Sequence, residues 1–268
     1  MPLPESDVPR PKPVGEPSPL PEWKSPPPAD GRVDYVVETA RSASDIRLAQ
    51  ALRFEVFNLE LNEGLQTSYA SGLDADAFDE ICDHLLVRES QTGTVVGTYR
   101  LQTGDTAKQR IGYYSAQEFD FGRFEPMRGE TIELGRACVH RNHRNLTVIQ
   151  LLWKGIAAYA RTHGARYLIG CSSLTSQDPA AGADAYRQLQ AHLAPEAWRT
   201  EPIPACYCPL DVLTPAPVKI PKLLMAYLTL GAKICGPPAI DREFKTIDFL
   251  TFLDLQSLPR KAVLKYLS

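Results

Sequence analysis

The chain has 268 residues, of which 44% are hydrophobic and 23% charged, and its formal net charge is −3. No apolar run approaches the ~18 residues of a membrane-spanning helix, which argues against an integral membrane protein, and the near-neutral charge argues against nucleic-acid binding. The six cysteines include no CxxC pair. We therefore predict a reducing, cytoplasmic setting with no disulfide framework and no metal site. The first residues lack a cationic start followed by an apolar run, which predicts no secretory signal.

The chain divides into a proline-rich tail and a longer body. Residues 1–30 contain 11 of the 23 prolines and few large aliphatic side chains. Such a segment cannot bury enough apolar surface to offset the entropy of ordering, so we predict a disordered, partly polyproline-II tail. Recognition of its proline motifs by a partner is the alternative. The folded body is predicted to span residues 33–267 as one domain.

Hydrophobic periodicity predicts alternating strands and helices along this body. In the first half a strand is predicted at 33–38, a helix capped by Ser44 at 44–59, and a hairpin at 84–89 and 95–101 with Gly93 in its turn. A short helix follows at 114–119 and a strand at 131–139. The clearest helix covers 147–163 and ends at Gly164. Strands are then predicted at 166–171, 205–210 and 247–255, and helices at 179–192, 221–230 and 259–267. This order predicts the α/β (α+β) class with a mixed sheet.

The segment between the strand at 131–139 and the helix at 147–163 carries a cationic patch. The patch contains His140, Arg141, His143 and Arg144, and the helix begins at Thr147. Free backbone amides and the positive end of a helix attract phosphate, so we predict a phosphate site here. A solvated loop is the alternative. The segment contains neither a Walker GxxxxGK motif nor GxGxxG.

A set of motifs along the body resembles a known enzyme family. Residues 132–140 read Ile-Glu-Leu-Gly-Arg-Ala-Cys-Val-His and are followed by Arg144 and by Gln-Leu-Leu-Trp at 150–153. Upstream, 52–57 read Leu-Arg-Phe-Glu-Val-Phe and 96–101 read Val-Gly-Thr-Tyr-Arg-Leu. The arrangement resembles the acyl branch of the Gcn5-related N-acyltransferase (GNAT) superfamily, and within it the ornithine-lipid type of N-acyltransferase.

This resemblance implies a GNAT-like mixed central sheet with helices on both faces and a C-terminal extension. It implies an enzyme without a bound cofactor that moves a fatty acyl chain, often 3-hydroxylated, from acyl carrier protein to the α-amino group of ornithine or glycine. The carrier protein and the amino acid would be its partners. A lipid product suggests peripheral contact with the inner face of the membrane through the apolar helix at 221–230, for which burial against the sheet is the alternative.

The acyl-homoserine-lactone synthases are a related family and a second interpretation. The chain shares their spaced set of residues: Arg53, Phe57, Glu80, Asp83, Arg100, Glu133 and Arg136. It lacks the tryptophan that they carry shortly after Phe57, which argues against S-adenosylmethionine as a substrate. A third interpretation is a non-catalytic protein that binds acyl carrier protein or membrane.

The identity of the acyl donor is predicted from the superfamily's phosphate loop. The usual Arg/Gln-x-x-Gly-x-Gly/Ala reads Arg-Asn-Leu-Thr-Val-Ile at 144–149, so both small residues are replaced. Small residues let backbone amides approach a pyrophosphate closely. Their replacement favours the single phosphate of a carrier protein's phosphopantetheine over acyl-CoA.

The reaction needs a base and an oxyanion site but no covalent nucleophile, because a thioester is already activated. Glu133 is the predicted base, since a charge in mid-strand needs a reason, and strand alternation places it on the same face as Gly135 and Ala137. A bracing ion pair with a nearby arginine is the alternative. Backbone N–H groups around Cys138 and Val139 would bind the oxyanion, and Cys138 is predicted to be a small buried residue.

Arginines are the predicted ligands of the acceptor carboxylate, because a guanidinium can bind that group with two hydrogen bonds. The substrate-binding candidates are Arg53, Phe57, Glu80, Arg100 and Arg136. Asp83 is predicted to hold the acceptor ammonium or an arginine. The alternative for Arg53 is a structural pair with Glu80 or Asp83, and the alternatives for His84 are a structural residue and a base.

Overall fold

The computed structural model describes residues 33–214 and 216–259. Within them, eight strands form one mixed sheet in the order β1-β2-β3-β4-β5-β8-β6, with β7 also paired to β8. The strands are β1 Tyr35–Thr39, β2 Asp83–Glu89, β3 Val95–Thr103, β4 Thr131–Val139, β5 Tyr167–Leu174, β6 Lys233–Ile234, β7 Ala239–Asp241 and β8 Thr246–Asp254. All pairs are antiparallel except β4 with β5. The predicted class and mixed sheet are confirmed.

Helices lie on both faces of this sheet. They are α1 Ala43–Arg53, α2 Ser68–Ser71, α3 Gly104–Gln109, α4 Leu146–Thr162, α5 Pro179–Gln188 and α6 Lys222–Thr229. Helix α1 packs on one face, called here the front face, where Leu86 and Cys138 meet Ala49 and Leu52. Helix α4 packs on the opposite, back face through Leu152 and Ile156. None of the described helices is long and apolar enough to cross a bilayer.

The long helix α4 is the best match to its prediction. It has a buried apolar stripe, and Asn145 caps its start by accepting a hydrogen bond from the Val148 amide at 3.0 Å. It packs closely on the sheet at Gly155, where a Cβ would lie 2.6 Å from a methyl group of Leu85. The helix therefore fixes the position of the segment that leads into it from β4.

Strands β4 and β5 separate soon after they begin. Their parallel pairing covers only Thr131–Glu133 against Tyr167–Ile169, although both strands continue for several residues. At the point of separation, Gly170 approaches β4 so closely that a Cβ there would lie 2.1 Å from the Leu134 carbonyl oxygen. The result is a V-shaped gap between two central strands, with Glu133 at its apex.

A β-bulge in β4 reverses the side-chain pattern within the gap. Thr98 pairs with Cys138 and Arg100 with Gly135, so two residues of β4 oppose one residue of β3, and Arg136 takes a left-handed φ of 50°. Ala137 consequently packs with the back-face core. The prediction that strand alternation places Ala137 on the same face as Glu133 is therefore wrong, because simple alternation does not continue through a bulge.

Several other predictions of elements need correction. The first helix starts at Ala43 with Ser42 as its cap, not Ser44, and continues as a π-helix over Phe54–Glu60. Residues 205–210 form no strand, since only Tyr207 makes an isolated bridge, to Ala239. The predicted helix at 114–119 is a single 3-10 turn, Ser115–Gln117. The tail over 1–30 and most of the last predicted helix fall outside the described residues, and the limits of a 33–267 domain stay a prediction.

Candidate active site

A buried cluster of ion pairs lies on the front face beside the gap. It joins three arginines to three aspartates: Arg53, Arg100, Arg136, Asp74, Asp76 and Asp79. The arginines come from α1, β3 and β4, and the aspartates come from the segment before β2. The cluster therefore links the first helix to the two strands that hold Glu133 and the bulge.

Arg53 is completely buried and serves as the hub on the helix side. Its Nε lies 3.0 Å from Asp74 Oδ2 and its Nη2 lies 2.6 Å from Asp79 Oδ2. Its Nη1 has no hydrogen-bond partner among the described residues. Arg53 is thus paired structurally, as its alternative prediction held, but with aspartates other than the expected Glu80 or Asp83.

Arg100 and Arg136 share the carboxylate of Asp76. Arg100 Nη1 lies 2.6 Å from one oxygen of Asp76 and 3.0 Å from Asp79 Oδ1, while Arg136 Nη2 lies 2.9 Å from the other oxygen of Asp76. Both guanidinium groups also lie against the Tyr114 ring, at 5.3 and 4.7 Å from its centroid. Arg100 Nη2 is buried and has no partner among the described residues. One hydrogen-bond donor of Arg100 therefore remains for a ligand.

The pKa values of these aspartates follow from their partners. Burial alone would raise the pKa of Asp76, but the positive charges of Arg100 and Arg136 outweigh it and hold the pKa below its ordinary value. Burial also acts to raise the pKa of Asp79, but Arg53 and Arg100 together hold it still further below its ordinary value. Both aspartates are therefore ionised at neutral pH.

Two acidic residues of the predicted set lie away from this cluster. Glu80 is exposed, and Asp83 is exposed on the back face, where it accepts a hydrogen bond from the Tyr159 hydroxyl at 2.6 Å. The prediction that Asp83 meets an arginine is therefore wrong, because in β2 it is His84 and not Asp83 that faces Arg100. Sequence reasoning missed Asp74, Asp76 and Asp79, whose spacing before a strand was the available signal. His84 contacts the Asp79 carbonyl oxygen at 3.2 Å.

Glu133 is buried at the apex of the gap and points to the front face. Its two carboxylate oxygens accept hydrogen bonds from the backbone amides of Tyr114 and Ser115, at 2.8 and 2.7 Å. Burial raises the pKa of Glu133, although these hydrogen bonds oppose the rise. None of the described ion pairs joins Glu133 to Arg100 or Arg136, so the alternative prediction of a bracing ion pair is wrong. The Ser115 side chain is a third donor to this carboxylate, which leaves one lone pair for a further donor.

The end of β4 presents backbone groups toward the gap. The His140 amide donates to the Val96 carbonyl at 2.8 Å, so it points to β3. Successive amides in an extended strand point to opposite edges, which directs the Val139 amide toward the open side. Cys138 is buried against α1, and Phe57 packs edge-on against the Phe244 ring at 5.2 Å. Both of these side chains belong to a core cluster.

The cationic patch after β4 is partly neutralised. Arg144 makes two hydrogen bonds to the Glu60 carboxylate, at 2.6 and 2.7 Å, and His140 Nε2 lies 3.2 Å from Glu55. Arg141 and Thr147 are exposed. The amides of Leu146 and Thr147, in the first turn of α4, lie beside them at positions that a helix leaves without internal partners, while Asn145 caps the Val148 amide.

All six cysteines of the chain lie within the described residues and are free thiols. Burial raises the pKa of every one of them, for example to about 12 for Cys82 and to about 11 for Cys208. A thiol nucleophile needs a lowered pKa. The site therefore suits direct transfer from a thioester to an amine, without an acyl-cysteine intermediate.

Comparison with known proteins agrees with this geometry. Residues 52–154 match the acetyltransferase (GNAT) domain family. An L-ornithine N(alpha)-acyltransferase of Brucella abortus is 34% identical over 253 residues, which cover 88% of this chain and 90% of that protein. This chain belongs to the L-ornithine N(alpha)-acyltransferase family. It is an N-acyltransferase enzyme with a GNAT domain, as the resemblance implied.

Solved structures show the same fold at low sequence identity. FeeM, an N-acyl amino acid synthase from uncultured soil microbes, aligns with a TM-score of 0.51 at 9% identity, covering 84% of this chain and 92% of that one. A CoA-dependent acyl-homoserine lactone synthase, BjaI, aligns with a TM-score of 0.50 at 14% identity, covering 86% of each chain. At these identities the likeness concerns the fold alone.

Proposed function

We propose that this enzyme transfers a fatty acyl chain from acyl carrier protein to the α-amino group of ornithine. The observation that carries the proposal is Glu133, a buried carboxyl group with a raised pKa at the apex of the gap between β4 and β5. The names of the relatives, 34% identical over 90% of the Brucella protein's length, support ornithine as the acceptor.

The chemistry is a direct displacement at the thioester carbonyl. The neutral acceptor nitrogen attacks the carbonyl carbon, a C–N bond forms, the C–S bond breaks, and the sulfur leaves as a thiolate that takes up the proton accepted by Glu133. Glu133 accepts the amine proton, and its raised pKa makes it a stronger base than an ordinary carboxylate. The Val139 amide receives the developing oxyanion.

Arg100 binds the acceptor carboxylate in this proposal. Its buried Nη2 lacks a partner among the described residues and lies on the same face as Glu133. Arg136, against the other side of the Tyr114 ring, supplies further positive charge. Arg53, Phe57 and the three aspartates hold these arginines in place, while Glu80 and Asp83 have no part in the proposed site.

The donor enters through the segment between β4 and α4. The first-turn amides of α4 and the exposed Arg141 and Thr147 receive the phosphopantetheine phosphate, with His140 and Arg144 supporting the segment. Thr147 and Ile149 stand where small residues would admit a pyrophosphate. This substitution favours a carrier-protein donor over acyl-CoA.

The test is incubation of the purified chain with a 3-hydroxyacyl carrier protein and ornithine, followed by mass spectrometry and titration of released thiol. We expect N-acylornithine in equal amount to the thiol, and a slower reaction with the matching acyl-CoA. A parallel reaction with S-adenosylmethionine in place of ornithine detects a lactone synthase by release of methylthioadenosine. Thioester left intact with every amino acid tested would contradict the proposal.

A further inference from the structure

A second group of buried carboxyl groups lies on the front face, beyond the ion-pair cluster. Glu118 is 4% exposed and Asp248 is 3% exposed. Asp248 is in β8, opposite Ser173 of β5, and Glu118 reaches it from the segment that follows the Ser115–Gln117 turn. One oxygen of each carboxyl group and the Cys171 sulfur lie within 4.8 Å of one another.

The side chains of Glu118 and Ser173 hydrogen-bond to Asp248, but one oxygen of each carboxyl group lacks the donor that a buried oxygen requires. Glu118 Oε2 and Asp248 Oδ1 have no hydrogen-bond partner among the described residues, and neither residue joins an arginine or lysine in a described ion pair. Glu63 and Asp241 are further carboxyl groups close to this pair, and burial raises the pKa of Glu63 to about 7. Carboxyl groups packed together in this way need a shared proton or a cation.

The acidic group is connected to the reaction site by a short chain of contacts. The Cys171 sulfur lies 3.4 Å from the Ser115 hydroxyl and 3.8 Å from Glu118 Oε1, and the Ser115 amide is bound to Glu133. Ser173, opposite Asp248, is exposed, so this part of β5 borders solvent.

Tyr114 contacts a positively charged group on one side and a carboxylate on the other. Its ring lies against the Arg136 guanidinium at 4.7 Å, and its hydroxyl donates to Asp241 Oδ2 at 3.3 Å. One end of the face is therefore cationic and the other is anionic, with Glu133 between them. An amino acid that carries a carboxylate at one end and an ammonium at the other matches this distribution of charge.

We infer that Glu118 and Asp248 bind the side-chain ammonium of a diamino-acid acceptor and thereby select a basic acceptor over a neutral one of equal length. The inference rests on the proposed function and extends it to acceptor specificity. A primary ammonium offers three N–H donors, which suit the unpartnered oxygens. A metal ion is the weaker occupant, because burial and the neighbouring carboxyl groups raise the pKa of the Cys171 thiol and keep it neutral.

The test compares ornithine with norvaline, which has the same carbon chain without the terminal amine. With the full chain and one acyl donor, we expect kcat/KM to favour ornithine by roughly 100-fold or more, as for a buried charge pair that loses one partner. In Glu118→Gln and Asp248→Asn, this ratio should fall below about 10-fold, mainly through a higher KM for ornithine. Circular dichroism and thermal melting establish that each variant is folded.

The matched control is Glu243→Gln, which removes an exposed carboxylate from the turn next to Asp241. It should keep the wild-type ratio. Equal rates of the wild type with ornithine and norvaline, or an unchanged ratio in folded Asp248→Asn, would overturn the inference while N-acylation stands. Stoichiometric metal that is found in the purified wild type and lost in Asp248→Asn would also overturn it. Absence of N-acylation with any amino acid would instead contradict the proposed function.

Discussion

Glu133 combines two properties at the level of a single residue. It holds the Tyr114–Ser115 backbone through both carboxylate oxygens, and its pKa is raised by burial. A purely structural carboxylate would need only the first property. The raised pKa places its titration closer to neutral pH, where a base can both exist ionised and accept a proton.

Glu133→Gln tests this role. Loss of a general base is expected to lower kcat by about 10²–10⁴-fold, because glutamine cannot take the amine proton. The wild type should gain activity as pH rises through the pKa of Glu133, whereas in the variant that dependence should be lost or shifted. Initial rates across pH 5–9 measure both effects. A folded variant with the wild-type pH profile and rate would show that Glu133 only supports the turn.

The residues of the site were predictable from the sequence only in part. Arg53, Arg100 and Glu133 lie on a helix or on regular parts of strands, where motif and periodicity indicate their positions. Asp74, Asp76 and Asp79 precede β2 in a segment with no long regular element, so periodicity could not indicate that they, and not Glu80 and Asp83, face the arginines. The bulge at Arg136 was equally hidden, since it depends on pairing with β3.

At the level of elements, the ion-pair cluster joins α1 to β3 and β4 through the segment before β2. Asp79 makes the central contacts, with Arg53 at 2.6 Å and Arg100 at 3.0 Å. Removal of one charge from a buried network leaves its partners uncompensated. Asp79 thereby links the first helix to β3, while Asp74 holds Arg53 independently.

Asp79→Asn is therefore expected to lower the free energy of unfolding by about 3–5 kcal/mol. The neighbouring Glu80→Gln, which changes an exposed carboxylate, should stay within about 0.5 kcal/mol of the wild type. Urea denaturation followed by circular dichroism measures both. Equal stability of the two variants would mean that the cluster contributes little to the fold.

Long elements were easier to predict than short ones. Helix α4 and strands β2, β3 and β4 carry enough periodic residues to be recognised from the sequence. Strands β6 and β7 have only two and three residues, and they exist because β8 provides an edge for pairing. The separation of β4 from β5 also depends on tertiary packing, at Gly170.

For the whole molecule, two sets of carboxyl groups make the free energy of unfolding depend on pH in opposite directions. Asp76 and Asp79 have lowered pKa values in the folded state, so their contribution is present above the ordinary pKa of aspartate and is lost as pH falls below it. Asp248 behaves in the opposite sense, because burial raises its pKa to about 6. Its contribution is present below the ordinary pKa and is lost as pH rises through about 6.

We therefore expect the free enzyme to lose stability between pH 4 and pH 7, by a few kcal/mol at most for a pKa shift of this size. Asp248→Asn should flatten this part of the curve and leave the loss below pH 4 in place. Chemical denaturation at closely spaced pH values is the measurement. An unchanged slope in the variant would show that Asp248 does not titrate in this range.

The proposed donor site also concerns the scale of the molecule, because the carrier protein of the proposed reaction would cover more surface than its phosphopantetheine arm. Arg141→Glu is expected to raise KM for acyl carrier protein roughly ten-fold, since rim charges act on encounter with an acidic partner. KM for a small acyl-pantetheine thioester should change less than about two-fold. Lys108→Glu, an exposed reversal elsewhere, is the matched control. Equal effects on both donors would argue against a carrier-protein contact at Arg141.

The raised pKa values of the six cysteine thiols have a consequence for repeated turnover. In the proposed reaction every cycle releases a pantetheine thiol, and once an outside oxidant has joined two such thiols in a disulfide, only a thiolate of the protein can attack that disulfide and become linked to it. With all six pKa values raised, the enzyme offers almost none of that anion at neutral pH. Mixed disulfides with the enzyme should therefore form slowly, and iodoacetamide at pH 7 should leave the enzyme active.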